Sequence, residues 1–247
     1  MTASAPRGSV ILLHGICALP VMMAPMEWAL RRRGHRTLNP LYHSRTHSLD
    51  RIVAGLHPRF ERFATANPGP IHFVTHSMGS LVLRAYVTRH RPSWIGRAVM
   101  LGPPNAGSPW VDLARGLRVS GLCLGPSADL LDRRRNAVLE TALGNIDFPV
   151  GVIAGTRSIL PFVTSRLMRE PNDGKVAVSA THLAGQSDHI VLPVGHAAMP
   201  HDRETTRQVM AFLEGGRFDH APAAVASRLE PGTVLPKPTP VFPRYEN

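Results

Sequence analysis

Ser77 follows an apolar run, Ile71-His72-Phe73-Val74-Thr75-His76, and leads at once into Met78-Gly79-Ser80 and a stretch of helical period. A strand that turns into a helix with no spacer forces the residue between them into a strained backbone conformation. It also lifts that residue's side chain above the sheet edge. A hydroxyl held there is suited to attack a carbonyl carbon. Strand and helix must approach closely, so small residues are needed two positions either side of the serine. Gly79 meets that need; Thr75, larger but still short, stands where the G-x-S-x-G pattern has its first glycine. The plainer role for Ser77 is N-cap of the helix, where serine is favoured.

Attack on a carbonyl creates an oxyanion, and backbone N–H groups are its usual stabilisers; losing one donor costs about 2.7–4 kcal/mol. The N–H of Met78, at the helix start, is one candidate. The second is the N–H of Ile16, in Leu13-His14-Gly15-Ile16 after the first apolar run, although His-Gly there also reads as a simple turn. The serine needs an imidazole to take its proton and a carboxylate to orient that imidazole, in the chain order Ser, acid, His. His196 closes Leu192-Pro193-Val194-Gly195-His196, between the last strand and the last helix, where the loop would reach back over Ser77. His201, five residues later, suits exposure or capping. Side chains of neighbouring strand residues point to opposite faces, which argues against His76 as base. His43 and His47 share a helical spacing in a turn-rich segment with no acid nearby, as in a surface loop rather than a metal site.

These groups need a frame. Apolar runs alternate with segments of helical period, which predicts an α/β domain of about six mostly parallel strands with helices on both faces. Strands are expected at Ser9–Leu13, Arg36–Leu41, Ile71–Thr75, Arg97–Leu101, Pro149–Ala154 and His189–Leu192. Helices are expected at Pro20–Arg33, Leu49–Ala66 with a kink or split at Pro58, Met78–Arg89 and Arg203–Glu214. The domain spans 1–217. A cap-like insertion at about 105–147 carries Val111, Leu113, Leu117, Val119, Leu122, Leu124, Leu130 and Leu131, which equally suit crossover helices on the sheet. A Pro-rich tail, 218–247, reads as extended or disordered.

Composition narrows the class. A chain of 247 residues that is 43% hydrophobic can bury a sizeable core, and no apolar run is long enough to span a membrane. The polar start lacks the features of a secretory signal, so the expected location is cytoplasmic. Cys17 and Cys123 sit among apolar residues and read as inert buried thiols, with no zinc-type spacing and no cofactor motif. The formal charge is +11, with Lys only at 175 and 237. Arg31-Arg32-Arg33 suits a helix C-terminus, and Arg133-Arg134-Arg135 is a second cluster. No nucleic-acid motif accompanies them, which leaves weak attraction to anionic surfaces.

Three segments carry a resemblance: His14-Gly15-Ile16, Val74-Thr75-His76-Ser77-Met78-Gly79-Ser80 and Leu101-Gly102-Pro103-Pro104-Asn105-Ala106-Gly107-Ser108. Together they look like bacterial lipase/esterase-type α/β hydrolases, in which a "P-N-x-G-S" turn after a strand lies beside the active site. The resemblance runs from about Val10 to Phe212 and leaves the tail unmatched. The chain begins at what is usually the family's third strand, so a compact version of that fold is implied. Asn172-Asp173-Gly174 is by itself a turn signal. The resemblance makes it more, because similar proteins carry the catalytic acid in an "N-D-G-x-V" turn, which carries over to Asp173. Asp188 is the next candidate and Asp147 the third. The resemblance also supports His196 as base. It implies a cofactor-free serine hydrolase acting on a small-molecule or lipid ester through an acyl-Ser intermediate. A thioesterase or acyltransferase with the same three residues, or a binding protein that retains the fold without catalysis, are the alternatives.

Overall fold

Alternation of side chains along the strands sorts the apolar residues into two sets. Val10 and Leu12 of β1 (Ser9–Leu13), Val74 of β3 (Ile71–His76), Val99 and Leu101 of β4 (Ile95–Leu101) and Ile153 of β5 (Val150–Gly155) fill one core. The intervening Ile11, Leu13, Phe73, Ala98, Met100, Val150 and Val152 fill the other. Strands apolar on both sides must be covered on both sides. The computed structural model, which describes residues 8–116, 124–158 and 168–220, shows how. Six strands form one sheet in the order β2-β1-β3-β4-β5-β6, with every neighbour parallel; β2 is Arg36–Leu38 and β6 is Asp188–Leu192.

Met23, Met26 and Leu30, from a 3-10 turn (Pro20–Met23) and α1 (Ala24–Arg32), cover the first core with Val209, Phe212 and Leu213 of α7 (Arg203–Gly215). α2 (Leu49–Ala66) and α3 (Met78–His90) cover the second. The crossover from β4 to β5 carries α4 (Pro109–Gly116), α5 (Ser127–Leu131) and α6 (Ala137–Leu143). Val111, Leu130, Leu131 and Leu143 from these helices join the same core as α2 and α3, with Leu124 against it. Leu117, Val119 and Leu122 lie outside the described residues.

Several local expectations change. The second strand ends at Leu38 rather than Leu41, because Pro40 has no N–H and the Asn39 amide turns to Pro20 O and Glu27 Oε2, each at 2.9 Å. α2 runs unbroken through Pro58, held by Ile52, Val53, Leu56 and Phe60 on its buried side. Cys17 is exposed, not buried, in a turn with φ 53°, and Cys123 lies outside the described residues. The ordered fold reaches past Arg217: Phe218 is buried in the α1/α7 core, and His220 bonds Asp188 at 2.9 Å. The rest of the expected tail lies outside the described residues.

Candidate active site

β1 lies between β2 and β3; the chain passes from it to the edge strand β2 on one side, then back across to β3 on the other. In open α/β sheets, ligands bind where such a reversal leaves a crevice beyond the strand C-termini. Ser77 stands there, between β3 and α3, with φ 55° and ψ −125°. This is strained left-handed backbone for a residue with a Cβ. Its hydroxyl makes no capping bond to α3, so N-capping does not account for the residue. A Cβ on Gly79 would stand 2.5 Å from Leu13 O and 2.7 Å from His14 O, which explains the glycine. Thr75 is fully buried, and its Oγ1 lies 2.8 Å from Ser80 Oγ, so the larger side chain is absorbed by a hydroxyl pair.

His196 and Asp173 meet although their elements are distinct. Asn172 bridges Ala177, and Asn172 Oδ1 accepts from Gly174 N at 3.0 Å, with Gly174 at φ 98°; this makes the turn that presents Asp173. The N–H of His196 donates to Asp173 O at 2.9 Å, and its Nδ1 lies 2.7 Å from Asp173 Oδ2. The other carboxylate oxygen, Oδ1, accepts from Lys175 N at 2.9 Å and Val176 N at 2.7 Å. The Asp173 side chain is wholly enclosed. Ser77 reaches this pair through the main chain. Its N–H donates to Leu101 O at 2.9 Å, and a Cβ on the next residue, Gly102 (φ 52°), would stand 2.9 Å from Asp173 Oδ2 and 3.0 Å from His196 Nδ1. Among the described residues no hydrogen bond joins Ser77 Oγ to the His196 ring. Contacts of this kind commonly tighten only around substrate.

Both candidate oxyanion donors adjoin Ser77. Met78 opens α3, where the first N–H groups have no intrahelical carbonyl. Ile16 follows Gly15, where a Cβ would stand 3.2 Å from Ser77 Cβ. The loop is braced from beneath: the Tyr42 hydroxyl donates to His14 O, and the Tyr42 and His14 rings stack at 4.0 Å. His14 Nδ1 donates to Gly15 O at 2.9 Å, and burial lowers the His14 pKa and keeps it neutral.

The other candidates lie elsewhere. Asp188 begins β6, at the far end of the sheet; burial works against its charge, but the N–H groups of Phe218 and His189 and the His220 ring outweigh that and lower its pKa. Asp147 is exposed ahead of β5, and His201 is exposed at the end of a 3-10 turn. His43 and His47 face each other with ring centroids 5.0 Å apart. Among the described residues no group of three His, Cys, Asp or Glu could hold a metal ion.

Two contributions escape the sequence. The His76 Nε2–H donates to His196 O at 2.9 Å; burial above all pushes its pKa down to about 3, so it stays a neutral donor. The Pro104-Asn105-Ala106-Gly107-Ser108 turn and the residue that follows Pro109 hold the neighbourhood of Asp173. Ser108 Oγ donates to Lys175 O at 2.7 Å, Trp110 Nε1 to Gly174 O at 2.8 Å, and Asn105 Nδ2 to Thr181 O at 2.8 Å. The motif itself signals that turn; no residue type signals bonds to distant main-chain carbonyls.

No protein-family model matches the chain, and no curated protein sequence does either. Solved structures do. The phospholipase PlaB from Legionella pneumophila superposes with a TM-score of 0.66 at 16% identity, over 86% of this chain and 60% of that one. The chain thus spans about three fifths of the phospholipase. The mature lipase BlEst2 from Bacillus licheniformis gives 0.59 at 18% identity, covering 87% of this chain and 92% of the lipase. The esterase EaEST from Exiguobacterium antarcticum gives 0.57 at 14%, covering 86% and 94%. Sheet order, strand directions and these neighbours together establish that the chain has the α/β-hydrolase fold.

Proposed function

We propose that the protein is a serine hydrolase that cleaves carboxylic esters, with Ser77 as nucleophile, His196 as general base and then acid, and Asp173 as the orienting carboxylate. The observation that carries this reading is a serine in strained left-handed backbone at the same sheet edge as a His–Asp pair whose carboxylate is wholly enclosed. With Nδ1–H committed to Asp173, His196 Nε2 carries the lone pair. It takes the Ser77 proton as Oγ bonds to the ester carbon, and the carbonyl π pair moves to oxygen. The N–H groups of Ile16 and Met78 receive that oxyanion. Collapse expels the alcohol, which takes the proton from His196, and leaves an acyl-Ser. Water then gives a proton to His196 and attacks the acyl carbon; the acid departs and Ser77 recovers its proton.

The lipase, esterase and phospholipase names of the structural neighbours support esters with apolar acyl groups as the substrate class. A fluorophosphonate probe tests the nucleophile. Stoichiometric labelling of wild type and none of Ser77→Ala is expected, and a folded wild type that takes no label would favour a binding protein. Acyl esters and thioesters of graded length, run with the same control, define the leaving group and chain length.

A further inference from the structure

α1 and the turn before it present an apolar side that none of the described residues covers. Met23, Met26 and Leu30 face the core, while Val21 (66% exposed), Trp28 (61%) and Leu19 (58%) face outward. Pro25, Trp28 and Arg32 follow at helical spacing on the exposed side, and the Arg32 guanidinium lies 4.7 Å from the Trp28 ring centre. Leu41, 46% exposed, follows two residues after Asn39, whose side-chain amide bonds Pro20 O. Single exposed apolar residues are ordinary; several adjoining ones on one rim are not.

The charge at the end of α1 is basic: Arg31, Arg32 and Arg33 stand there, against one acidic residue on the helix, Glu27. Glu27 is already engaged, by Arg31 at 2.7 Å and by Thr37 and Asn39 at 2.9 Å each. The surface thus offers aliphatic side chains and a tryptophan beside guanidinium groups, on a convex helix rather than in a groove. That combination suits the boundary between headgroups and acyl chains of an anionic bilayer, with Trp at headgroup depth and Arg on phosphate. The Leu19 end of the rim continues from the loop that carries Ile16, three residues earlier, so that end lies beside the candidate site, while Arg32 and Arg33 lie at the other end of α1, toward the start of β2.

We propose that Leu19, Val21, Trp28 and Leu41, with Arg32 and Arg33, form a docking surface for anionic lipid membranes. The proposal rests on the ester-hydrolase reading only for its purpose, and binding is measurable without turnover. The test is co-sedimentation of the full chain with vesicles of phosphatidylcholine alone or with phosphatidylglycerol. Wild type and Ser77→Ala should bind the anionic vesicles alike, at least about tenfold more tightly than neutral ones, and lose that margin in high salt. The triple variant Leu19→Ser/Val21→Ser/Trp28→Ser should lose about tenfold or more of the binding while hydrolysing a short water-soluble ester at the wild-type rate. Trp28→Phe should retain binding but lose the blue shift of tryptophan emission that vesicles induce in wild type. Equal binding by the triple variant, or equal affinity for neutral vesicles, would overturn the proposal. So would a rim that instead drives dimerisation, seen as a dimer that the triple variant abolishes without any vesicle binding by wild type. A folded wild type that takes no fluorophosphonate label yet binds anionic vesicles would refute the esterase reading and leave the surface standing.

Discussion

At Asp173 the two carboxylate oxygens have different tasks. Oδ1 accepts two amide protons, from Lys175 and Val176, and Oδ2 faces His196 Nδ1. In Asp173→Asn the side-chain carbonyl must stay on the two amides, which places the NH2 against Nδ1. His196 is then forced to carry its proton on Nε2, the atom that should accept from Ser77. The expected outcome is a loss of turnover on the order of 10³–10⁴-fold with the melting temperature little changed, read from kcat on a soluble ester and from circular dichroism. A wild-type kcat in this variant would remove Asp173 from the role. His76 acts one step further out, through the main-chain carbonyl of His196. His76→Phe removes that bond and should lower kcat about tenfold while leaving KM unchanged, the cost of one misplaced hydrogen-bonded loop. If KM rises instead, His76 lines the substrate pocket and is no positioning residue. Strand alternation set His76 aside as base, but its bond to backbone leaves no trace in residue types.

The strand-to-helix turn at Ser77 was the most legible element, because an apolar strand and a helix meet with a single residue between them and Gly79 beside it. The turn at Asn172-Asp173-Gly174 was legible as a turn from its residue types; that it faces His196 depends on a bond across 23 positions and came only by resemblance. The helix that begins at Pro109 supplies the missing support. Its Trp110 and the preceding Ser108 fix the carbonyls of Gly174 and Lys175, the residues whose own turn aims the acid. Trp110→Phe keeps an aromatic ring and deletes the indole N–H. A loss of about 0.5–1.5 kcal/mol in stability is expected, with kcat lowered by no more than about tenfold, by denaturant titration and steady-state kinetics. A variant as stable and active as wild type would show that α4 merely covers the turn. The end of β2 and the continuity of α2 were harder to read: Pro40 and the Asn39 side-chain bonds stop the strand early, whereas the buried side of α2 overrides Pro58.

Across the whole molecule, the alternating strands made both cores readable, yet nothing in the sequence says which of thirteen histidines are buried. His76 is buried, with its pKa pushed down to about 3, while His72 and His189 are pushed down to about 4, in each case by burial above all. A histidine in the unfolded chain takes its proton near pH 6.5. Between that pH and the folded-state values, the unfolded chain holds protons that the folded one refuses, so acid favours unfolding. Stability contributed by these rings is complete above about pH 6.5 and is lost progressively as pH falls toward 4. His76 alone gives a slope of about 1.4 kcal/mol per pH unit in that window, and the more exposed His72 and His189 add smaller amounts of the same sign. Urea titrations at pH 7, 6, 5 and 4.5 should therefore show a falling midpoint. In His76→Phe the fall should be shallower by about one proton, because a phenyl ring has nothing to titrate in either state. A midpoint that does not move between pH 7 and 4.5, or a slope in His76→Phe equal to that of wild type, would mean that His76 gains its proton without leaving the fold. The proton would then sit on Nδ1, which leaves the Nε2–H bond to the His196 carbonyl in place, and the support it gives the candidate base would persist on the acid side.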